Sequence, residues 1–172
     1  MKKMLLGMTI CSLFAINTAQ VAARDMPATL AVTGVVSNSD LTCAVTLKHP
    51  TADLPYTSSS DLITQGEEAT QPYEIEMTGV GDGCDLNRMV YRFTGTADNA
   101  DGNVLANLDT SEGAAKGVGI GIFNTDNSVL PINNSHIAGI SSRLRLQMVK
   151  LNGQEVTTGS VFGSLTIQLD RI

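Results

Sequence analysis

Tryptophan is absent from this chain, and aromatic residues fill only 4% of its 172 positions. Charge is equally sparse, at 16% against about 25% in an average soluble protein. The 11 Lys and Arg are outnumbered by 17 Asp and Glu, a formal charge of −6. A chain this acidic lacks the electrostatic footprint by which nucleic acid is held, so no nucleic-acid partner is expected. Two histidines and three cysteines are too few for a Cys/His metal cage, and neither a metal nor a cofactor is expected. Beyond the first 16 residues no apolar run approaches the roughly 20 residues of a membrane-spanning helix. Disorder is excluded from the other side, because 42% of the residues are hydrophobic. What is abundant is glycine, 16 residues, set among short alternating segments. That mixture suits strands and turns rather than charged helices.

The amino terminus has a separate role. Lys2 and Lys3 precede a nearly unbroken apolar stretch over residues 4–16, then polar Asn17, Thr18 and Gln20, then Val21-Ala22-Ala23. This is the layout of a secretory signal peptide cut after Ala23, and the apolar stretch is short for the alternative, a retained membrane anchor. Removing residues 1–23 takes away two lysines and Cys11, leaving 149 residues with nine cations against 17 anions, a charge of −8. No membrane insertion is expected after cleavage. The remaining pair, Cys43 and Cys84, reads as a disulfide formed in the oxidising compartment that export reaches, two unpaired thiols being the alternative. Closing a loop of about 40 residues stabilises a fold by roughly 4 kcal/mol in the chain-entropy account.

Period-two alternation recurs along the mature chain, and no long stretch carries helical periodicity. Ala28, Leu30, Val32, Gly34 and Val36 share one face of a first extended segment. A second runs over residues 41–47 and ends at Lys48-His49-Pro50, with Pro55 and Ser58-Ser59-Ser60 marking a loop. Tyr73, Ile75 and Met77 alternate with polar residues, as Leu144, Leu146 and Met148 do with Arg143, Arg145 and Gln147. Met89, Tyr91 and Phe93 line a further strand, and Val118, Ile120 and Ile122 another. The latter has glycines at 117, 119 and 121 on its other side, which invites close approach by a neighbour. Residues 96–116 read as a long polar loop with at most one short strand. Asn152-Gly153 signals a hairpin turn, and Val161, Gly163, Leu165, Ile167 and Leu169 line a final strand. Such a series of short strands with one disulfide suggests an antiparallel β-sandwich.

Catalytic chemistry finds no residues to carry it. His49 sits beside a proline and His136 in a loop reading Asn133-Asn134-Ser135-His136, and no Gly-x-Ser-x-Gly elbow occurs. Setting Gly102 at the sixth place of a calcium loop puts Ala97 and Leu108 where carboxylates are needed. The glycines at 79, 81 and 83 belong to no strand–turn–helix unit that would cradle a dinucleotide. No enzyme is expected.

These features together resemble the pilin subunits of chaperone–usher fimbriae, of the type 1 kind. The likeness covers essentially the whole mature chain. It rests on the extension Thr29-Leu30-Ala31-Val32-Thr33-Gly34, the position and spacing of Cys43 and Cys84, and Tyr91-Arg92-Phe93-Thr94-Gly95 followed by Ala97-Asp98. The strand Gly117-Val118-Gly119-Ile120-Gly121-Ile122-Phe123-Asn124 and the segment from Asn152-Gly153 to Leu169, similar to a C-terminal hairpin, complete it. The chain departs from the family in ending Gln168-Leu169-Asp170-Arg171-Ile172 without the usual next-to-last aromatic, which points to a divergent or minor subunit.

The resemblance implies an incomplete immunoglobulin-like antiparallel sandwich, completed by a strand from a partner. It divides the chain into a signal peptide (1–23), a donor-strand extension (24–36) and a pilin domain (37–172). Ala28, Leu30, Val32, Gly34 and Val36 would be the donor face; on pattern alone the alternative, that residues 28–36 close their own domain's sandwich, stands even with it. Val161, Gly163, Leu165, Ile167 and Leu169 would form the acceptor groove and the edge bound by a periplasmic pilus chaperone. An outer-membrane usher would then exchange that chaperone for a neighbouring subunit's extension, building a non-covalent fimbria on the bacterial surface. An alternative role is a fimbrial tip or minor adaptor subunit that binds a ligand.

Overall fold

The computed structural model describes residues 28–34 and 43–172. The leader over residues 1–23 and, within the expected donor face, Val36 lie outside these described residues. Among the described residues eleven strands follow in chain order: β1 (Ala28–Gly34), β2 (Ala44–Leu47), β3 (Thr51–Leu54), β4 (Ile63–Thr64), β5 (Tyr73–Val80), β6 (Met89–Gly95), β7 (Leu105–Ala106), β8 (Val118–Phe123), β9 (His136–Ala138), β10 (Arg143–Lys150) and β11 (Phe162–Arg171). The only helical element among the described residues is a 3₁₀ turn, Leu86–Arg88, capped by the Asp85 carboxylate, which accepts from the Asn87 N–H.

Two sheets face each other. One has the order β3-β1-β11-β6-β9, the other β2-β5-β10-β8-β7 with β4 joined to β10. Pairing is antiparallel except where β1 lies along β11 and β4 along β10. The architecture is an all-β, immunoglobulin-like sandwich. Alternate residues point into it as the sequence pattern predicts: Ile75 and Met77 from β5, Tyr91 and Phe93 from β6, Ile120 and Ile122 from β8, Leu144 and Leu146 from β10, Leu165 and Ile167 from β11.

Several elements differ from expectation. β3 falls in what reads as the end of a strand followed by a loop, because its four residues are bracketed by Pro50 and Pro55. Its alternation is nonetheless clean, with Ala52 and Leu54 buried and Thr51 and Asp53 exposed. His136 stands in edge strand β9 rather than in a loop. Asn152-Gly153 does make its turn, with Gly153 at a φ of 70° that glycine adopts at no steric cost. Yet it joins no hairpin, since β10 and β11 belong to different sheets.

The outer face of the second sheet is also less solvated than alternation implies. Val104, Phe123, Val149, Leu151 and Ala69 make a second apolar cluster. Gln147 is buried there and its side-chain oxygen accepts from the Thr70 and Gln71 N–H groups, 3.0 Å each. Gly119 makes this closeness possible: a Cβ there would come 2.8 Å from the Leu105 carbonyl oxygen and from Val104.

Candidate functional site

The position of β1 defines the site. β1 lies between β3 and β11, pairing in register from Thr29 opposite Phe162 to Gly34 opposite Ile167 on one side, and from Ala28 opposite Leu54 to Ala31 opposite Thr51 on the other. Adjacent strands lie about 4.8 Å apart, so the slot between β3 and β11 is about 9.6 Å wide and takes one strand. Leu30 is completely buried, and its two lateral partners are Ala52 and Gly163. Both are small, which leaves room for the leucine. A Cβ on Gly163 would stand 3.4 Å from the Leu30 Cδ1 and 2.8 Å from the Ile120 Cδ1.

Of the expected groove residues, Val161, Leu165 and Ile167 are buried in the main core and Leu169 packs partly against it. Gly163 joins them as the small wall of the Leu30 site. Of the expected donor face, Ala28, Leu30, Val32 and Gly34 all belong to β1, and the structure seats this strand in its own domain.

β11 is held at both ends. At its start, the Asn107 side chain accepts from the Phe162 N–H at 2.9 Å and donates to the Ser160 carbonyl at 3.0 Å, while the Leu108 N–H bonds the Phe162 carbonyl at 2.7 Å. At its end, Arg92 and Asp170 form a cross-strand ion pair at 2.7 Å, and an Arg171 guanidinium nitrogen lies 3.4 Å from the Gly83 carbonyl oxygen. Cys43 and Cys84 form the expected disulfide, their Cα atoms 5.0 Å apart, at this same end. The molecule thus has a Phe162 pole and a disulfide pole, with β1 and β11 both running from the first to the second. Neither Asn107 nor β3 was legible as part of the groove. The one available signal was the short alternation of Thr51-Ala52-Asp53-Leu54 between two prolines.

Elsewhere the polar groups are structural. Asp98 is buried, which by itself opposes its charge. The N–H groups of Val104 and Ala100, the Gln65 amide and the Gly102 N–H together outweigh that burial and hold its carboxyl below the usual range. Burial pushes the Tyr91 hydroxyl up, a backbone contact from Gly79 opposing it, and the hydroxyl makes no hydrogen bond of good geometry. A hydrogen bond from Lys48, 3.0 Å away, lowers the exposed Glu76 carboxyl. No group of three or more His, Cys, Asp or Glu residues placed to hold a metal ion occurs among the described residues. His49 precedes β3 and His136 lies on β9, at opposite edges of one five-stranded sheet, about four strand spacings or ~19 Å apart. They cannot share a site.

The chain matches the family described as fimbrial protein over residues 30–170, nearly the whole of the sandwich. It belongs to the fimbrial protein family. It is also 29% identical, over 137 residues, to a probable major fimbrial subunit LpfA of Escherichia coli O157:H7, a match covering 77% of this chain and 73% of that protein. A fimbrial subunit works by associating with other fimbrial subunits.

Proposed function

We propose that this fimbrial subunit polymerises by donating β1 to the groove of a neighbour, after export to the periplasm and delivery by a chaperone and an outer-membrane usher to the cell surface. The observation that carries the reading is the slot one strand wide between β3 and β11, filled by the N-terminal strand and shaped for its leucine by Ala52 and Gly163. A strand contributed by another molecule can occupy such a slot by β-augmentation, with main-chain bonds for affinity and alternate side chains for specificity.

Direction matters. In its own groove β1 runs parallel to β11 and leaves at the disulfide pole. Swung outward from its own domain, it points away from that pole. It then enters the groove of an identically oriented neighbour antiparallel to β11. Antiparallel pairing is slightly the more stable per residue, and β11 is the longer of the two flanking strands. Exchange is therefore favoured on the longer edge, and its loss on the β3 side is smaller. Before exchange, a chaperone strand would occupy the same slot.

Deleting residues 24–36 and measuring incorporation into fibres tests this. The truncated subunit is expected to accept a neighbour's strand but not to donate one, so that it ends the fibre. Normal incorporation between two neighbours would sink the proposal.

A further inference from the structure

β2 and β10 flank β5 at different heights. β10 pairs with it from Tyr73 to Glu76, and β2 from Met77 to Val80. Where the two meet, Lys48, Glu76 and Arg143 stand in one row across the outer face: Arg143 is opposite Glu76, and the Lys48 N–H bonds the Glu76 carbonyl at 3.1 Å. Thr46 and Thr78 form the next such row. A hollow of about 330 Å³ opens there, and Ser142 also lines it. A second hollow, of about 240 Å³, shares Lys48 and Glu76 with the first and extends to Tyr73 and Glu74. It arises because the chain leaves the second sheet at Lys48-His49-Pro50 and enters the first at Thr51. The Glu74 main-chain N–H and C=O point the same way as those of Glu76, two residues on, and meet no strand. The residue that would continue the ladder there is Pro50, which has no N–H to give.

The polar groups of the first hollow are unemployed. Among the described residues the Thr46, Thr78 and Ser142 hydroxyls make no hydrogen bond, whereas those of Ser128 and Ser160 bond Asp126 and Asp109. Arg143 makes a single polar contact, from its Nε to Glu74 at 3.4 Å, and is 56% exposed, so both terminal guanidinium nitrogens are free. Arg145 is held instead by the Thr125 carbonyl and Asn127. Lys48 and Arg143 face one carboxylate, Glu76, so this hollow is net positive in a chain of charge −6. We infer that the two hollows form one binding site for an acidic saccharide, a carboxylate-bearing sugar joined to a neutral one. The carboxylate sits on the free end of Arg143, which matches both of its oxygens at once. The three hydroxyls bond the same sugar. In the second hollow the half-buried Tyr73 supplies a partly apolar wall, and the Glu74 main chain bonds the neutral ring. An apolar ligand is excluded, because its site would be lined mostly by hydrophobic side chains. A peptide strand is excluded too, since the open edge offers one residue rather than a ladder. The site lies in the second sheet and the strand-filled groove in the first, so it does not rest on strand donation.

The test titrates the purified subunit with 3′-sialyllactose, a hyaluronan tetrasaccharide and lactose, following its backbone amides by NMR. At least one acidic sugar is expected to shift amides at 46–48, 76–78 and 142–143, and which of them binds tells a sialic from a uronic acid. Lactose should bind at least about tenfold more weakly. Arg143→Ala should weaken the acidic sugar about tenfold with an unchanged melting temperature, while Lys116→Ala, outside the site, should leave binding as it was. No shift with either acidic sugar, equal affinity for lactose, or wild-type affinity in Arg143→Ala overturns the inference. Strand donation is judged separately by deletion of residues 24–36, so neither result decides the other.

Discussion

Leu30 shows how one residue ties the terminal strand to the rest. It is fully buried between Ala52 and Gly163, and its site exists because both flanking positions are small. Leu30→Ala is expected to cost about 2–4 kcal/mol of stability, the range for buried leucines that leave a partly collapsed cavity. Urea unfolding of the monomer measures it, and a loss below 1 kcal/mol would mean the strand contributes little to its own domain. Asp98 gives a pH-dependent prediction. Its folded carboxyl lies below the ordinary value, so its contribution is complete above the unfolded pKa and is lost as pH falls through the folded one. Asp98→Asn, which turns an amide N–H₂ toward backbone donors, should destabilise by about 1–3 kcal/mol at neutral pH. Near pH 3 the gap between the two proteins should narrow. A gap independent of pH would exclude the carboxylate as its source.

At the scale of elements, the disulfide joins the start of β2 to the turn after β5, across a sequence separation of 41 residues. Reduction, or Cys43→Ser, should lower stability by roughly 4 kcal/mol in the chain-entropy account, read as a fall in melting temperature. An unchanged melting temperature would show that the bridge only decorates the pole. Strands with long alternating runs, β5, β6, β10 and β11, were legible in the sequence because large apolar residues recur at every second position. β3 and β9 were not. Four and three residues carry too little periodicity, and their identity as strands comes from the neighbours they pair with. Burial of Gln147 was hidden for a similar reason. The segment covering it is some 77 residues away in sequence.

At the scale of the whole molecule, the proposed joints between subunits are main-chain ladders and apolar contacts. Three of the surface ion pairs, Lys48–Glu76 and those of Glu74 with Arg143 and Arg145, join β5 to its neighbourhood in the second sheet, and the fourth, Arg92–Asp170, links β6 to β11 within one subunit. Fibres should therefore keep their length in about 1 M salt, where exposed charges are screened beyond ~3 Å. Sedimentation before and after salt addition measures this. Dissociation would assign the joints to charge rather than to the donated strand.

By itself the sequence determined an acidic, all-β chain with one disulfide, and it marked residues 28–36 and 161–169 as two apolar faces needing cover. Composition and period-two alternation suffice for that, because burial on one side of a strand is a local property. Only the tertiary structure decided what lies beside those faces. It placed β1 between β3 and β11, parallel to the latter, and gave Leu30 its small neighbours. These depend on pairings between residues far apart in the chain, and no local pattern encodes which edge a strand will meet.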